Sequence, residues 1–102
     1  MHEAIAQHAH AISGICQRFH IKRLEVFGSA ARAADFNPSQ SDVDFLVEFA
    51  SGPERGFRNF LAAKAALESE LGRKVDLIED GSIKNPFVLA AINAGKEPLY
   101  AA

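Results

Sequence analysis

Two rhythms of apolar residues share this chain, a spacing of three and four and an alternation by two. Ile5, Ala9, Ile12, Ile15, Cys16 and Phe19 follow the first and predict a helix over residues 3–19. Gln7, His8, Gln17 and Arg18 take its wetter side, Gly14 weakens its interior, and His20 lies near its end. Residues 23–27 alternate, with Leu24 and Val26 on one face and Arg23, Glu25 and Phe27 on the other. Gly28 ends that strand, and Ser29 is the expected N-cap of a short helix through Ala33. Residues 35–41 carry turn chemistry. The clearest strand spans residues 42–49: Val43, Phe45, Val47 and Phe49 alternate with Asp42, Asp44, Leu46 and Glu48.

The helical rhythm returns over residues 56–71 with Phe57, Phe60, Leu61, Leu67 and Leu71 as the expected buried stripe and Gly72 as the stop. Residues 74–79 read as a third strand, with Val75 and Leu77 facing away from Asp76 and Ile78. Pro86 opens a helix ending at Gly95, and residues 96–100 form a short strand that Pro98 assigns to a sheet edge. The order predicts one α/β (α+β) domain, with helices packed mainly on one face of a single sheet. The opposite face, bearing the carboxylates, is left open for a ligand. Phe57, Phe60, Phe87 and Val88 are expected to lie mostly in the core, because apolar residues at helical spacing usually face inward.

Composition narrows this picture. The chain has 102 residues, enough for one domain, and 48% apolar content, which argues against disorder. A net charge of -2 makes direct nucleic-acid binding unexpected. No apolar run is long enough for a membrane span, and the N-terminus lacks a signal-peptide pattern, so a cytoplasmic location is expected. The lone Cys16 forms no internal disulfide and reads as a small apolar residue of the first helix. His8 and His10 point to different sides of that helix and make a poor metal pair.

The chemistry concentrates between Gly28 and Asp44. Asp42 and Asp44 share a strand face, roughly 7 Å apart along the backbone. Two such carboxylates repel unless a cation joins them, and Mg²⁺ takes one or two carboxylates plus substrate phosphates. Alternatively they are two solvated acids. Gly28 lets a phosphate approach the backbone, and Ser29 adds a hydroxyl beside the free amides of a helix start. Alternatively this is an ordinary strand-to-helix turn. Arg32 binds phosphate, holds a carboxylate, or is a surface charge. Asp76 reaches the same site if its strand lies beside that of Asp42; otherwise it is an edge charge.

Taken together, Gly28-Ser29-x-Ala31-Arg32 followed by Ser41-Asp42-x-Asp44 resembles the signature of the DNA polymerase β-type nucleotidyltransferase superfamily. The small size and the tail from Ile83-Lys84-Asn85-Pro86 to Leu99-Tyr100 are similar to its minimal nucleotidyltransferase (MNT) branch. Ala33 departs from the second glycine that many members carry. The resemblance implies a nucleotidyltransferase fold with a small mixed sheet and a single minimal domain over residues 1–102. It implies that Asp42, Asp44 and Asp76 are the catalytic metal triad for two Mg²⁺ ions, with Mn²⁺ as a substitute. Gly28, Ser29, Arg32 and Ser41 would hold ATP, the substrate. It further implies an antitoxin that transfers AMP to a hydroxyl, expected to be tyrosine, of a cognate HEPN ribonuclease toxin. Neutralisation by binding alone is the competing reading, and transfer to an RNA end or an aminoglycoside is a third. A domain this small leaves little chain to hold an acceptor, so the acceptor is expected on a partner surface.

Overall fold

The computed structural model describes residues 1–32, 36–37, 42–52 and 56–102. Ala33, Ser41 and Pro53 lie outside the described residues, as does most of the expected 35–41 turn. Among the described residues, nine elements follow in chain order: α1 (Glu3–Ala6), α2 (Ala9–Arg18), β1 (Ile21–Phe27), α3 (Ser29–Arg32), β2 (Val43–Phe49), α4 (Phe57–Leu71), β3 (Val75–Glu79), α5 (Pro86–Gly95) and β4 (Glu97–Ala101). The strands form one sheet in the order β3-β2-β1-β4. β1 is antiparallel to both β2 and β4, whereas β2 and β3 run parallel and are joined by α4. Parallel neighbours need such a crossover, and α4 supplies it. Pro98 lies on the edge strand β4, where its missing N–H leaves no gap inside the sheet.

Alternation decides which face each strand buries. Val43, Phe45 and Val47 of β2, Leu24 and Val26 of β1, and Val75 of β3 are fully buried. They pack with Ile5 of α1, Ile12 and Cys16 of α2, and Leu67 of α4 in one core. Burial pushes the Cys16 thiol up to about 12, so it stays protonated and inert. Leu46 and Ile92 are buried outside that core, Leu46 by alternation on the opposite side of the sheet. Gly72, with φ 65°, closes α4 in the left-handed conformation expected of a helix stop. Among the described residues no helix is long and apolar enough to cross a membrane.

Three local expectations change. The first helix is two: the His8 amide bonds back three residues to the Ile5 carbonyl, tightening the chain before α2 begins. His8 at this break places Nδ1 2.7 Å from Glu70 Oε2 of α4. The buried stripe of α4 is Ala63, Leu67 and Leu71, with Phe60 half-buried against Phe49. Phe57 is instead 75% exposed and Leu61 is exposed, because α4 rests on the sheet with one narrow face. Phe87 and Val88 are likewise exposed rather than core, at 85% and 46%. α5 buries only Ile92 and leaves most of its apolar surface exposed.

Candidate functional site

Register brings the acids together. Phe27, the last residue of β1, is the direct partner of Asp44 on β2, and Asp44 is the direct partner of Asp76 on β3. Directly opposed residues share a face, so the two carboxylates meet on the open side of the sheet. The spatial neighbourhood expected of Asp76 and the Asp42 strand is therefore present. Asp42, one residue before β2, is exposed and contributes its charge to the same group. Glu48, expected on this face too, lies at the other end of β2, where it pairs with Arg23 at 3.2 Å and Lys22 at 3.7 Å.

The turn after β1 is shaped around this pair. Gly28 has φ 70°, a conformation side chains resist. A Cβ built at Gly28 would run into the Asp44 carboxylate. Glycine therefore does two things here: it turns the chain and leaves room for an acid. The Gly28 carbonyl accepts from the Ala31 and Arg32 amides, each at 3.2 Å, which starts α3. Ser29 is the first residue of α3 rather than the residue before it. Ala30 and Ala31 are buried, and the Ala30 carbonyl accepts from the His2 amide at 2.8 Å, tying α3 to the N-terminal segment. Arg32 ends α3, exposed, with its guanidinium near enough to lower the proton affinity of Asp44.

Arg32 does not win that contest. Burial, then the hydrogen bond and charge of Asp76, then the charge of Asp42, raise Asp44 from 3.8 to about 6. A carboxylate that shares a proton with its neighbour is poised to exchange that proton for a cation. Among the described residues, no group of three or more His, Cys, Asp or Glu side chains is gathered closely enough to hold a metal ion by itself. The donor set present, all carboxylate oxygen and open to one side, fits Mg²⁺, which completes its shell with water and phosphate.

Sequence reasoning missed two parts of this region. Glu25, 9% exposed, sits between Arg23 Nε at 3.4 Å and Lys96 Nζ at 3.3 Å. Arg23 also reaches Asp80 at 3.0 Å, so the end of the open face away from Asp44 is occupied by its own ion pairs. The second is a groove beside Gly28 and Arg32, walled by Phe27, Ile78, Val88 and Ile92. Its only sequence signal is that the helix opened by Pro86 is apolar on nearly every side.

Comparison with known proteins agrees with this geometry. Residues 10–96 match the nucleotidyltransferase domain family. The protein adenylyltransferase MntA of Thermococcus cleftensis is 36% identical over 69 residues, covering 68% of this chain and 66% of its own. A solved candidate minimal nucleotidyltransferase superposes with a TM-score of 0.76 at 30% identity, covering 96% of both chains. A Shewanella oneidensis tri-AMPylated HEPN toxin in complex with its MNT antitoxin shares the fold, with a TM-score of 0.65 and 16% identity over 94% of this chain and 71% of that one. The row of Asp44 and Asp76, the glycine turn that accommodates it and these likenesses agree: the chain belongs to the nucleotidyltransferase domain family, in its minimal (MNT) branch.

Proposed function

We propose that this protein transfers AMP from ATP to a tyrosine hydroxyl of a HEPN-type toxin and thereby silences it. The observation that carries the reading is the pairing of Asp44 with Asp76 directly beside the Gly28 turn. The 36% identical relative named as a protein adenylyltransferase supports the reaction. The complex of an AMPylated HEPN toxin with an MNT antitoxin supports the partner.

In this reading the backbone at Gly28 and the Ser29 hydroxyl hold the triphosphate, Ser41 adds a contact, and Arg32 offsets phosphate charge. Asp42, Asp44 and Asp76 would hold Mg²⁺, two ions in this reading. When bound, the ions neutralise the pyrophosphate and lower the pKa of the attacking hydroxyl. The acceptor oxygen bonds to the α-phosphorus as the bond to pyrophosphate breaks, and Asp76 accepts the hydroxyl proton. Rate enhancement comes from position and charge, since the side chains form no covalent bond to substrate.

The test is incubation with labelled ATP, Mg²⁺ and the cognate toxin. The expected result is label on a toxin tyrosine, lost in the Asp42→Asn/Asp44→Asn double variant. Unlabelled toxin, or full labelling by the double variant, overturns the reading. The exposed Phe57, Leu61 and Phe87 favour one alternative, silencing by contact alone. Under that alternative the double variant still neutralises the toxin fully.

A further inference from the structure

We infer that His2, Phe36 and Arg73 form a brace that sets the spacing between the Gly28 turn and the carboxylates, which makes all three positioning residues for the reaction. The inference rests on the reading of Asp42, Asp44 and Asp76 as the metal-holding acids and adds what keeps them in place. Phe36 falls between Arg32 and Asp42 in sequence and is 7% exposed, inside the main core. The His2 ring centroid lies 4.8 Å from that of Phe36, with the rings tilted by 53°. The Arg73 guanidinium carbon lies 5.1 Å from the same Phe36 centroid.

The two partners of Phe36 belong to different parts of the site. The His2 amide donates to the Ala30 carbonyl of α3 at 2.8 Å, and His2 Nδ1 accepts from the Ala4 amide of α1 at 2.9 Å. Its ring is therefore fixed relative to the helix that follows Gly28. Arg73 comes just before β3, and the carbonyl of the next residue, Lys74, accepts from the Val43 amide at 3.1 Å. Val43 stands between Asp42 and Asp44, and this bond enters the register that sets Asp44 against Asp76. Phe36 thus joins the segment tied to the glycine turn with the segment that aligns the acids.

Arg73 shows that this is more than ordinary core packing. Its Nε and Nη1 are buried and, among the described residues, have no hydrogen-bond partner. Leaving buried donors unmade is costly, and an apolar side chain at this position would fill space without that cost. The face of an aromatic ring attracts a cation, more strongly away from water, so the Phe36 ring is what holds the guanidinium. Ring and cation contacts prefer particular geometries, whereas aliphatic burial is non-directional. The brace therefore fixes angle as well as distance.

His2→Asn keeps a capping side chain and removes the ring, Phe36→Leu keeps apolar burial without a π face, and Arg73→Met keeps a long stem without the cation. Calorimetric titration with Mg-ATP, thermal unfolding and transfer of labelled AMP are read on each intact variant. Each is expected to weaken Mg-ATP and lower kcat by about tenfold, a fraction of what about 1 Å of misplacement costs. Phe36→Leu/Arg73→Met should lose no more than the worse single variant, because both break one contact. Phe60→Leu is the control: it removes a ring from the Phe49–Phe60 pair, at the end of β2 away from Asp44. It should melt as low as Phe36→Leu and bind Mg-ATP like wild type. Wild-type affinity and kcat in Phe36→Leu overturn the brace, as do losses in Phe60→Leu of the same size or multiplied losses in the double variant. A wild-type protein that binds no Mg-ATP overturns the nucleotidyl-transfer reading itself, and the brace with it.

Discussion

Replacing Gly28 with alanine separates two properties of one residue. At φ 70° an alanine adopts a backbone that disfavours side chains by roughly 1–2 kcal/mol. For a domain of this size, 1 kcal/mol corresponds to a melting-temperature loss of about 4–8 °C. The new methyl also meets the Asp44 carboxylate. That oxygen is the tip of a side chain, so it moves aside by rotation and adds little to the stability loss. The rotation withdraws the acid from Asp76, and misplacement of a reacting group by about 1 Å lowers turnover by about a hundredfold. Gly72 supplies the control, with φ 65° and open space where a Cβ would sit. Gly72→Ala should lose comparable stability and keep AMP transfer. Thermal unfolding with and without Mg²⁺, alongside labelled-AMP transfer, measures both effects. Gly28→Ala that melts like Gly72→Ala and transfers AMP at the wild-type rate refutes the reasoning.

Two further outcomes are expected. Asp44 is raised to about 6 from 3.8, so its contribution to stability is full below about 3.8 and lost as pH rises through 6. Converted fully the shift is about 3 kcal/mol, and with the carboxylate only half-buried roughly 1 kcal/mol survives screening. Metal-free Asp44→Asn should therefore melt above wild type at pH 7.5, with the gap closing below pH 4; equal melting at both pH values contradicts this. Asn85 caps α5 by accepting from the Phe87 and Val88 amides at 2.9 and 3.3 Å. Asn85→Ala should remove about 1 kcal/mol from that helix. Hydrogen exchange over residues 86–95 should then accelerate while the melting temperature moves little, since α5 buries only Ile92.

The strands and the carboxylate face were legible because alternation by two admits only one assignment of faces. Helix ends were legible where Gly72 and Pro86 mark them. Strand pairing was less accessible to pattern. Nothing local says that β2 and β3 run parallel, and the mixed sheet was expected from family resemblance alone. Phe57 and Phe87 were misassigned because helical spacing shows that residues share a face without showing what that face meets. Phe36 was missed for the reverse reason. It sits in turn-like sequence, yet it is buried, with His2 4.8 Å and Arg73 5.1 Å from its ring. In the candidate site, Asp42, Asp44, Asp76, Gly28 and Arg32 were all named from sequence. The apolar groove was not, because its walls come from separate segments that only the fold brings side by side.

The parallel pairing of β2 with β3 bears on how activity is acquired during folding. Asp44 and Asp76 become neighbours only after the whole of α4 has crossed the sheet and docked. Such non-local contacts form late, because loop closure precedes the stabilisation they bring. A partly folded chain can carry native β1 and β2, including the Gly28 turn, without an acid pair. The antiparallel pairing of β1 with β2 would bring Gly28 beside Asp44, leaving the Asp76 edge to complete the centre. Recovery of transfer activity in a refolding experiment would then lag the pairing of β1 with β2, making catalysis a reporter of the docking of β3.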